Sequence, residues 1–267
     1  MTSGTAQYRE VGELDELARL DSPVHRLDAR AQAVTTMVFI IVVMSYSRYE
    51  VSGLMPLFLY PVALIAAGRL PVGILFRKVA VAAPFALFVG IFNPLLDRHV
   101  VATFGSFPVS GGWLSFASIM IRFFLTVSTA LILVSCTGIH RLCAGLERLG
   151  MPRVFAVQLL FLYRFFFVIG DEGLRMRRSV EIRSAGSTLG FTVYGHLIGH
   201  LLLRAMDRAQ RIYRAMVARG FDGEIRMIQP ATPGWSEAAF VAGWTVFFLA
   251  ARVWNGAEWL GTILTRM

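Results

Sequence analysis

The sequence predicts an all-α integral membrane protein: about five transmembrane helices and a separate cytoplasmic unit of long helices. Three observations predict it. Hydrophobic residues make up 56% of the chain and charged residues 16%, with a mean hydropathy of +0.61, well beyond the apolar share of a soluble domain. Six apolar runs are separated by breaks. The basic residues gather beside particular runs, as they do on the cytoplasmic side of a membrane.

Residues 1–30 form a cytoplasmic N-terminal segment. Glu10, Glu13, Asp15, Glu16 and Asp21 mix there with Arg9, Arg19, Arg26 and Arg30. The segment has no apolar core and no cleavage site of small residues, so no signal peptide is expected and the first span directs insertion. Residues 31–136 hold four spans, drawn from the runs Ala33 to Tyr46, Leu54 to Gly68, Val79 to Leu96 and Trp113 to Cys136. A spanning helix needs about 20 residues, so the first two runs borrow neighbours such as Gln32, Ser47 and Gly53. The breaks between runs are Leu70 to Gly73, Asn93 with Pro94, and Phe107 to Gly112.

The fifth run, Val154 to Gly170, decides the topology. If it crosses with the N-terminus inside, the arginines from Arg175 to Arg226 fall outside and the positive-inside bias vanishes. If it stays on the cytoplasmic side, only Arg48, Arg98 and Arg266 lie outside, with Arg122 and Arg252 left within spans. The contrast selects the second arrangement. Gln158 and Arg164 interrupt the run, and Asp171, Glu172, Arg175, Arg177 and Arg178 follow it. Residues 137–236 are therefore one cytoplasmic or interfacial unit, and residues 237–267 supply the last span, Ala238 to Trp254, and a tail. Within the unit, Val193 to Arg219 reads as a long amphipathic helix. Leu197, Leu201, Ala205, Ile212 and Met216 recur near helical spacing, and Asp207 with Arg211 forms an i, i+4 pair.

Several function classes are excluded. The net charge of +9 lies in residues flanking apolar runs, an orientation signal rather than a nucleic-acid footprint. An ATP-binding loop needs a lysine after glycines, and the only lysine, Lys78, stands in Arg77-Lys78-Val79. Neither a Gly-x-Ser-x-Gly elbow nor a His-Glu-x-x-His helix occurs, so catalysis is not expected. His196 and His200 share one helical face but lack an intervening glutamate and a third ligand, and His25, His99 and His140 are isolated. Cys136 and Cys143 read as packing residues. Arg122, inside an apolar run, requires a partner, because an unpaired mid-bilayer charge costs on the order of 2.5 to 3.5 kcal/mol. Every basic residue except Lys78 is an arginine, so an arginine must be argued from position.

Two tripeptides stand out on that ground. Ile182-Arg183-Ser184 and Ala218-Arg219-Gly220 each fall where a helical pattern gives way to small residues, Ser184 to Gly186 and Gly220. A glycine there can take the left-handed conformation that ends a helix. Together they suggest a chain that grips two copies of a partner outside the bilayer.

The entry Ser22-Pro-Val-His-Arg-Leu-Asp-Ala-Arg30 and the stretch Ala215-Met-Val-Ala-Arg-Gly-Phe-Asp-Gly223 resemble the transmembrane T component of energy-coupling factor transporters, closest to its cobalt branch, the CbiQ type. The likeness runs from about residue 22 to about residue 255. It implies a non-catalytic scaffold in the bacterial inner membrane, N-terminus inside, whose cytoplasmic coupling helices end in an arginine motif. Two ATP-binding cassette subunits would each receive one tip, with Arg183, Ser184, Ala218, Arg219 and Gly220 as the coupling residues. The first motif lacks the alanine and the glycine of the fuller form, which leaves Arg177 and Arg178 as alternatives to Arg183. ATP would be bound by those partners and a cobalt-type metal by a separate membrane S component, with no cofactor or metal in this chain. Nickel, or a vitamin such as biotin, is the alternative cargo. A self-contained secondary transporter or a membrane enzyme is the alternative class.

Overall fold

The computed structural model describes residues 16–47, 50–96, 100–104, 107–184, 190–223 and 234–253. Gly186, Arg226, Trp254 and the acidic residues before Glu16 lie outside them. The chain divides into two compact units, 14–145 with 231–267, and 146–230 with 1–13. The architecture is helical, broken by one short hairpin.

The larger unit starts with α1 (Pro23–Arg26), capped by the Ser22 hydroxyl and opened by Pro23 at its first turn. It continues into α2 (Ala29–Ser45), where Asp28 accepts a hydrogen bond from the Arg30 amide at 2.9 Å. A 3-10 segment (Ser52–Phe58) leads directly into α3 (Leu59–Gly68). Arg69 stops that helix in a left-handed conformation, φ 51°, and Pro71 opens α4 (Val72–Gly90). The short α5 (Phe92–Leu96) follows, then antiparallel β1 (Val100–Phe104) and β2 (Phe107–Ser110). The stretch read as a plain break from Phe107 is thus half of a hairpin. Next come α6 (Gly111–Thr137), α7 (Ile139–Arg148), whose last turn falls in the smaller unit, and α10 (Trp235–Val253). The smaller unit holds α8 (Arg153–Arg183) and α9 (Phe191–Ala218).

Among the described residues four segments can cross a membrane by length and composition: Val72–Pro94, Gly111–Thr137, Arg153–Arg183 and Trp235–Val253. Ala29–Ser45 and Ser52–Gly68 are shorter apolar helices. The run Val154 to Gly170 is therefore not a separate piece. It is the first part of a 31-residue helix whose second part carries the arginines, because a change of polarity along a helix does not interrupt its backbone hydrogen bonds.

The core of the larger unit lies where α2, α3, α6 and α10 meet. Phe39, Tyr60, Trp244 and Phe248 stack edge to face and tilted, Tyr60 lying 4.8 Å from Trp244 and 5.1 Å from Phe248, centroid to centroid. Leu54, Leu57, Leu125 and Ile132 fill in around them. Such aromatic pairs add about 0.5–1.5 kcal/mol each beyond area burial. They tie the last helix to the first.

Polar groups close the two ends of this core. At one end buried His25 bonds the Ser22 hydroxyl at 2.7 Å and the Leu17 carbonyl at 3.0 Å. Arg141 donates to the His25 and Leu27 carbonyls, Gln32 to Val24, and Thr137 to Gln32. His25, which carries no signal in the sequence, is thus a tie point between the residues before α1 and Arg141 of α7. Asp21, outside the helices, is paired with Arg26 at 2.7 Å, and that guanidinium holds its carboxyl below the usual range. Burial pushes the Cys143 thiol up, which keeps it unreactive.

At the other end, Arg122 donates to the Tyr46 and Ser47 carbonyls. Arg252 reaches the Ser45 carbonyl at 3.3 Å and Glu50 at 3.8 Å, with its guanidinium 4.6 Å from the centre of the Tyr46 ring. Both arginines that the sequence leaves inside spans thus converge on the C-terminus of α2. The last-turn carbonyls of a helix are electronegative and unsatisfied, so a cation there is stabilised. The partner required by Arg122 is a helix end rather than a carboxylate.

Close packing sets a testable contrast between glycines. A Cβ on Gly145 would lie 3.0 Å from the Ala29 Cβ and 3.3 Å from its carbonyl carbon, whereas one on Gly243 would meet nothing within 4 Å. Gly145→Ala is expected to destabilise the protein by about 1–3 kcal/mol through overpacking. Gly243→Ala, at a helical site with open space, should be neutral or gain up to about 1 kcal/mol. Thermal unfolding in detergent measures both.

Candidate functional site: the arginine-tipped helices

The smaller unit begins with the end of α7, closed by Gly150 at φ 109° and an ion pair between Glu147 and Arg153 at 3.3 Å. From Arg153, α8 runs without a break to Arg183, its last residue. The Ser184 amide bonds the Val180 carbonyl at 2.9 Å, and the Ser184 hydroxyl donates to the Glu181 carbonyl at 3.0 Å. A small hydroxyl residue thereby satisfies carbonyls of the last turn. The guanidinium of Arg183 is exposed and makes no hydrogen bond or ion pair with any described residue.

The second tip closes differently. α9 ends at Ala218, Arg219 caps it at φ −96°, and Gly220 turns left-handed at φ 80°. The Phe221 amide bonds the Met216 carbonyl and the Gly220 amide bonds the Val217 carbonyl, each at 3.0 Å. These two bonds constitute a Schellman motif, which requires the left-handed residue. Ala218, Arg219 and Gly220 are exposed, and Arg219 also makes no side-chain bond among the described residues. Arg183 and Arg219 thus both stand at helix C-termini, where the axial dipole favours a cation.

Some other arginines of the unit are engaged, whereas Arg164, Arg178, Arg208, Arg211 and Arg214 are exposed and, like Arg183 and Arg219, make no side-chain bond among the described residues. Arg178 therefore stays an alternative to Arg183. Arg177 pairs with Glu181 at 2.7 Å, one turn on, which separates it from Arg183 as a candidate contact. Arg175 pairs with Glu172 at 2.8 Å from the same helix, and Arg204 reaches Glu172 from α9. The Asp207–Arg211 pair that the spacing suggests does not form: no ion pair joins them among the described residues. Both line a cavity of about 300 Å³ between the helices instead, with Val168, Ile169, Glu172, Leu201 and Arg204.

Along α9 the predicted stripe is real. Leu197, Leu201, Ala205, Ile212 and Met216 are its half-buried positions. A second apolar stripe, Ile198, Leu202, Met206, Tyr213 and Val217, is exposed at half or more of its surface among the described residues. His196 and His200 are exposed. Among the described residues no group of three or more His, Cys, Asp or Glu is placed to hold a metal ion.

The sequence model of a family described as cobalt transport protein, CbiQ, matches residues 21–230. The energy-coupling factor transporter transmembrane protein EcfT of Heliobacterium modesticaldum is 28% identical over 274 aligned residues, covering 91% of this chain and 97% of that protein. The cobalt transport protein CbiQ of Rhodobacter capsulatus is 31% identical over 98 residues, 36% of this chain and 40% of that one. The uncharacterized protein MJ1089 of Methanocaldococcus jannaschii is 29% identical over 126 residues, and the match spans about half of each chain, 46% and 47%.

The left-handed turn at the second tip is open to test. Gly220→Ala places a Cβ where L-residues are disfavoured by roughly 1–2 kcal/mol. Hydrogen exchange at the amides of residues 220 and 221 should speed up, while exchange in the middle of α9 stays as it is.

Proposed function

The chain belongs to the cobalt transport protein (CbiQ) family, as a transmembrane T component of energy-coupling factor transporters, and from that premise we propose that it is the non-catalytic coupling subunit of an ATP-driven cobalt(II) importer. In this reading Arg183 and Arg219 are the contact points for two ATP-binding cassette subunits. Ser184, Ala218 and Gly220 keep the surroundings of each tip small, so that a partner groove can approach closely.

The observation that carries the reading is position: Arg183 and Arg219 are exposed, unbonded within the described chain and stand at the C-terminal ends of α8 and α9, whereas Arg178, Arg208, Arg211 and Arg214, also exposed and unbonded, lie within the helices. A guanidinium held at a helix end offers five donors in a planar fork, suited to a carboxylate in a groove. Each tip would pair with an acidic residue of one ATPase. Closure of the ATPase dimer on ATP would draw α8 and α9, and the larger unit would relay the movement to a metal-binding membrane S component. The exposed stripe from Ile198 to Val217 is apolar enough to lie against such a partner.

The charge distribution supports the matching topology: residues 137–236 in the cytoplasm and the N-terminus inside, in the bacterial inner membrane. The chain itself supplies no phosphate-binding lysine, since Lys78 stands outside any glycine-rich loop. Energy would therefore enter through the partners.

Charge reversal tests the reading. Arg183→Glu combined with Arg219→Glu should leave expression and membrane insertion intact and abolish capture of the ATP-binding subunits. Losing one partner of a buried interfacial charge pair costs about 2–5 kcal/mol or more, enough to empty a pull-down. Unchanged capture would refute the role of the tips.

A further inference from the structure

Among the described residues, Glu172 is the one that binds the two arginine-tipped helices to each other through charge. From α8 it accepts a hydrogen bond from Arg204 of α9 and a second, at 2.8 Å, from Arg175 of its own helix. Its side chain is 23% exposed, against 63% for Arg204. Next to it Gly173 lacks a side chain, and a Cβ there would lie 3.4 Å from the Leu201 Cδ2, ordinary van der Waals contact. The helices are therefore in contact beside this carboxylate. Glu172 and Arg204 themselves line the cavity of about 300 Å³, with Val168, Ile169, Ala205 and Arg208, so the junction there is not filled by packed side chains. Neither helix has many buried residues to hold it: Ala156 and Leu160 in α8, and none in α9.

A tie at this point has leverage over both tips. α8 continues about 16 Å from Glu172 to Arg183, and α9 about 22 Å from Arg204 to Arg219, at 1.5 Å per residue. With helix axes about 8–10 Å apart, the two arginines are at most about 40 Å from each other, and their spacing is set by how the helices meet. We propose that Glu172 is a positioning residue: by holding Arg204 across the junction, with Arg175 steering its carboxylate, it fixes the spacing at which Arg183 and Arg219 are presented. The role rests on the coupling function proposed above and specifies where within this unit the spread of the tips is controlled. An ion pair this exposed adds little to overall stability. Its effect is on geometry, because no apolar core competes with it at the junction.

The spacing can be read on the purified full-length chain in lipid nanodiscs, without ATPases. Spin labels go on Ile182→Cys and Val217→Cys, both exposed positions, with Cys136 and Cys143 replaced by alanine. Glu172→Gln and, independently, Arg204→Gln should broaden the distance distribution and lower the population at the parent distance roughly two- to fivefold, the scale of a partly screened pair. Arg204→Lys should keep the parent distribution, since a single donor reaches Glu172 and an ammonium can replace it. In the assembled transporter, Glu172→Gln should still capture the ATP-binding subunits but move less metal per ATP hydrolysed. An unchanged distribution in both glutamine variants, or equal broadening by lysine, overturns the proposal. So does a broadened distribution with unchanged metal moved per ATP. Failure of the tips as docking points would show separately, as unaltered capture by the double charge reversal.

Discussion

The constraint on which the molecule depends is that a buried carbonyl or a helix end must find a donor, and in a chain this apolar water supplies few. Arginine fills that role throughout the larger unit. Arg141 closes the His25 and Leu27 carbonyls at one end. Arg122 and Arg252 close the last carbonyls of α2 at the other. A planar fork of donors suits carbonyls that diverge from a helix end better than the point charge of a lysine. The same property separates structural from presented arginines. Those that meet carbonyls and carboxylates hold the fold, and among the exposed arginines that meet neither in the described residues, Arg183 and Arg219 are the ones at helix ends.

The two units use different physics. The larger one has an aromatic core, in which Tyr60 touches Phe39, Trp244 and Phe248, and polar closures at each end of it. The smaller one is two long helices with few buried side chains and a network of ion pairs. Packing over a large area resists deformation. Ion pairs on exposed helices shift at small cost, so a unit built from them can change shape while its partner unit keeps one.

Much of this was legible in the residues. The apolar stripe from Leu197 to Met216 has helical spacing, and those positions are the half-buried ones. Gly220 after Arg219 announced a left-handed turn, and the turn is there. Other features had no pattern to reveal them. The partners of Arg122 are backbone carbonyls, which every residue carries. The Glu172–Arg204 bond joins residues of different helices, so no spacing along one helix points to it. Asp207 and Arg211 had the right spacing, but their surroundings face a cavity. The hairpin did leave a trace, since Val100, Val101 and Thr103 are β-branched, overshadowed by the glycine-rich break behind it. Val154 to Gly170 was divided from the arginines after it by a change in polarity, and the backbone ignores that change.

The backbone closure at the end of α9 bears on the docking role proposed for its tip. Met216 and Val217 already have their carbonyls bonded to the amides of Arg219, Gly220 and Phe221, so the Arg219 side chain is not recruited to finish its own helix. Such an end is ordered once, during folding, and in the proposed role a partner would meet a tip already closed by its own backbone.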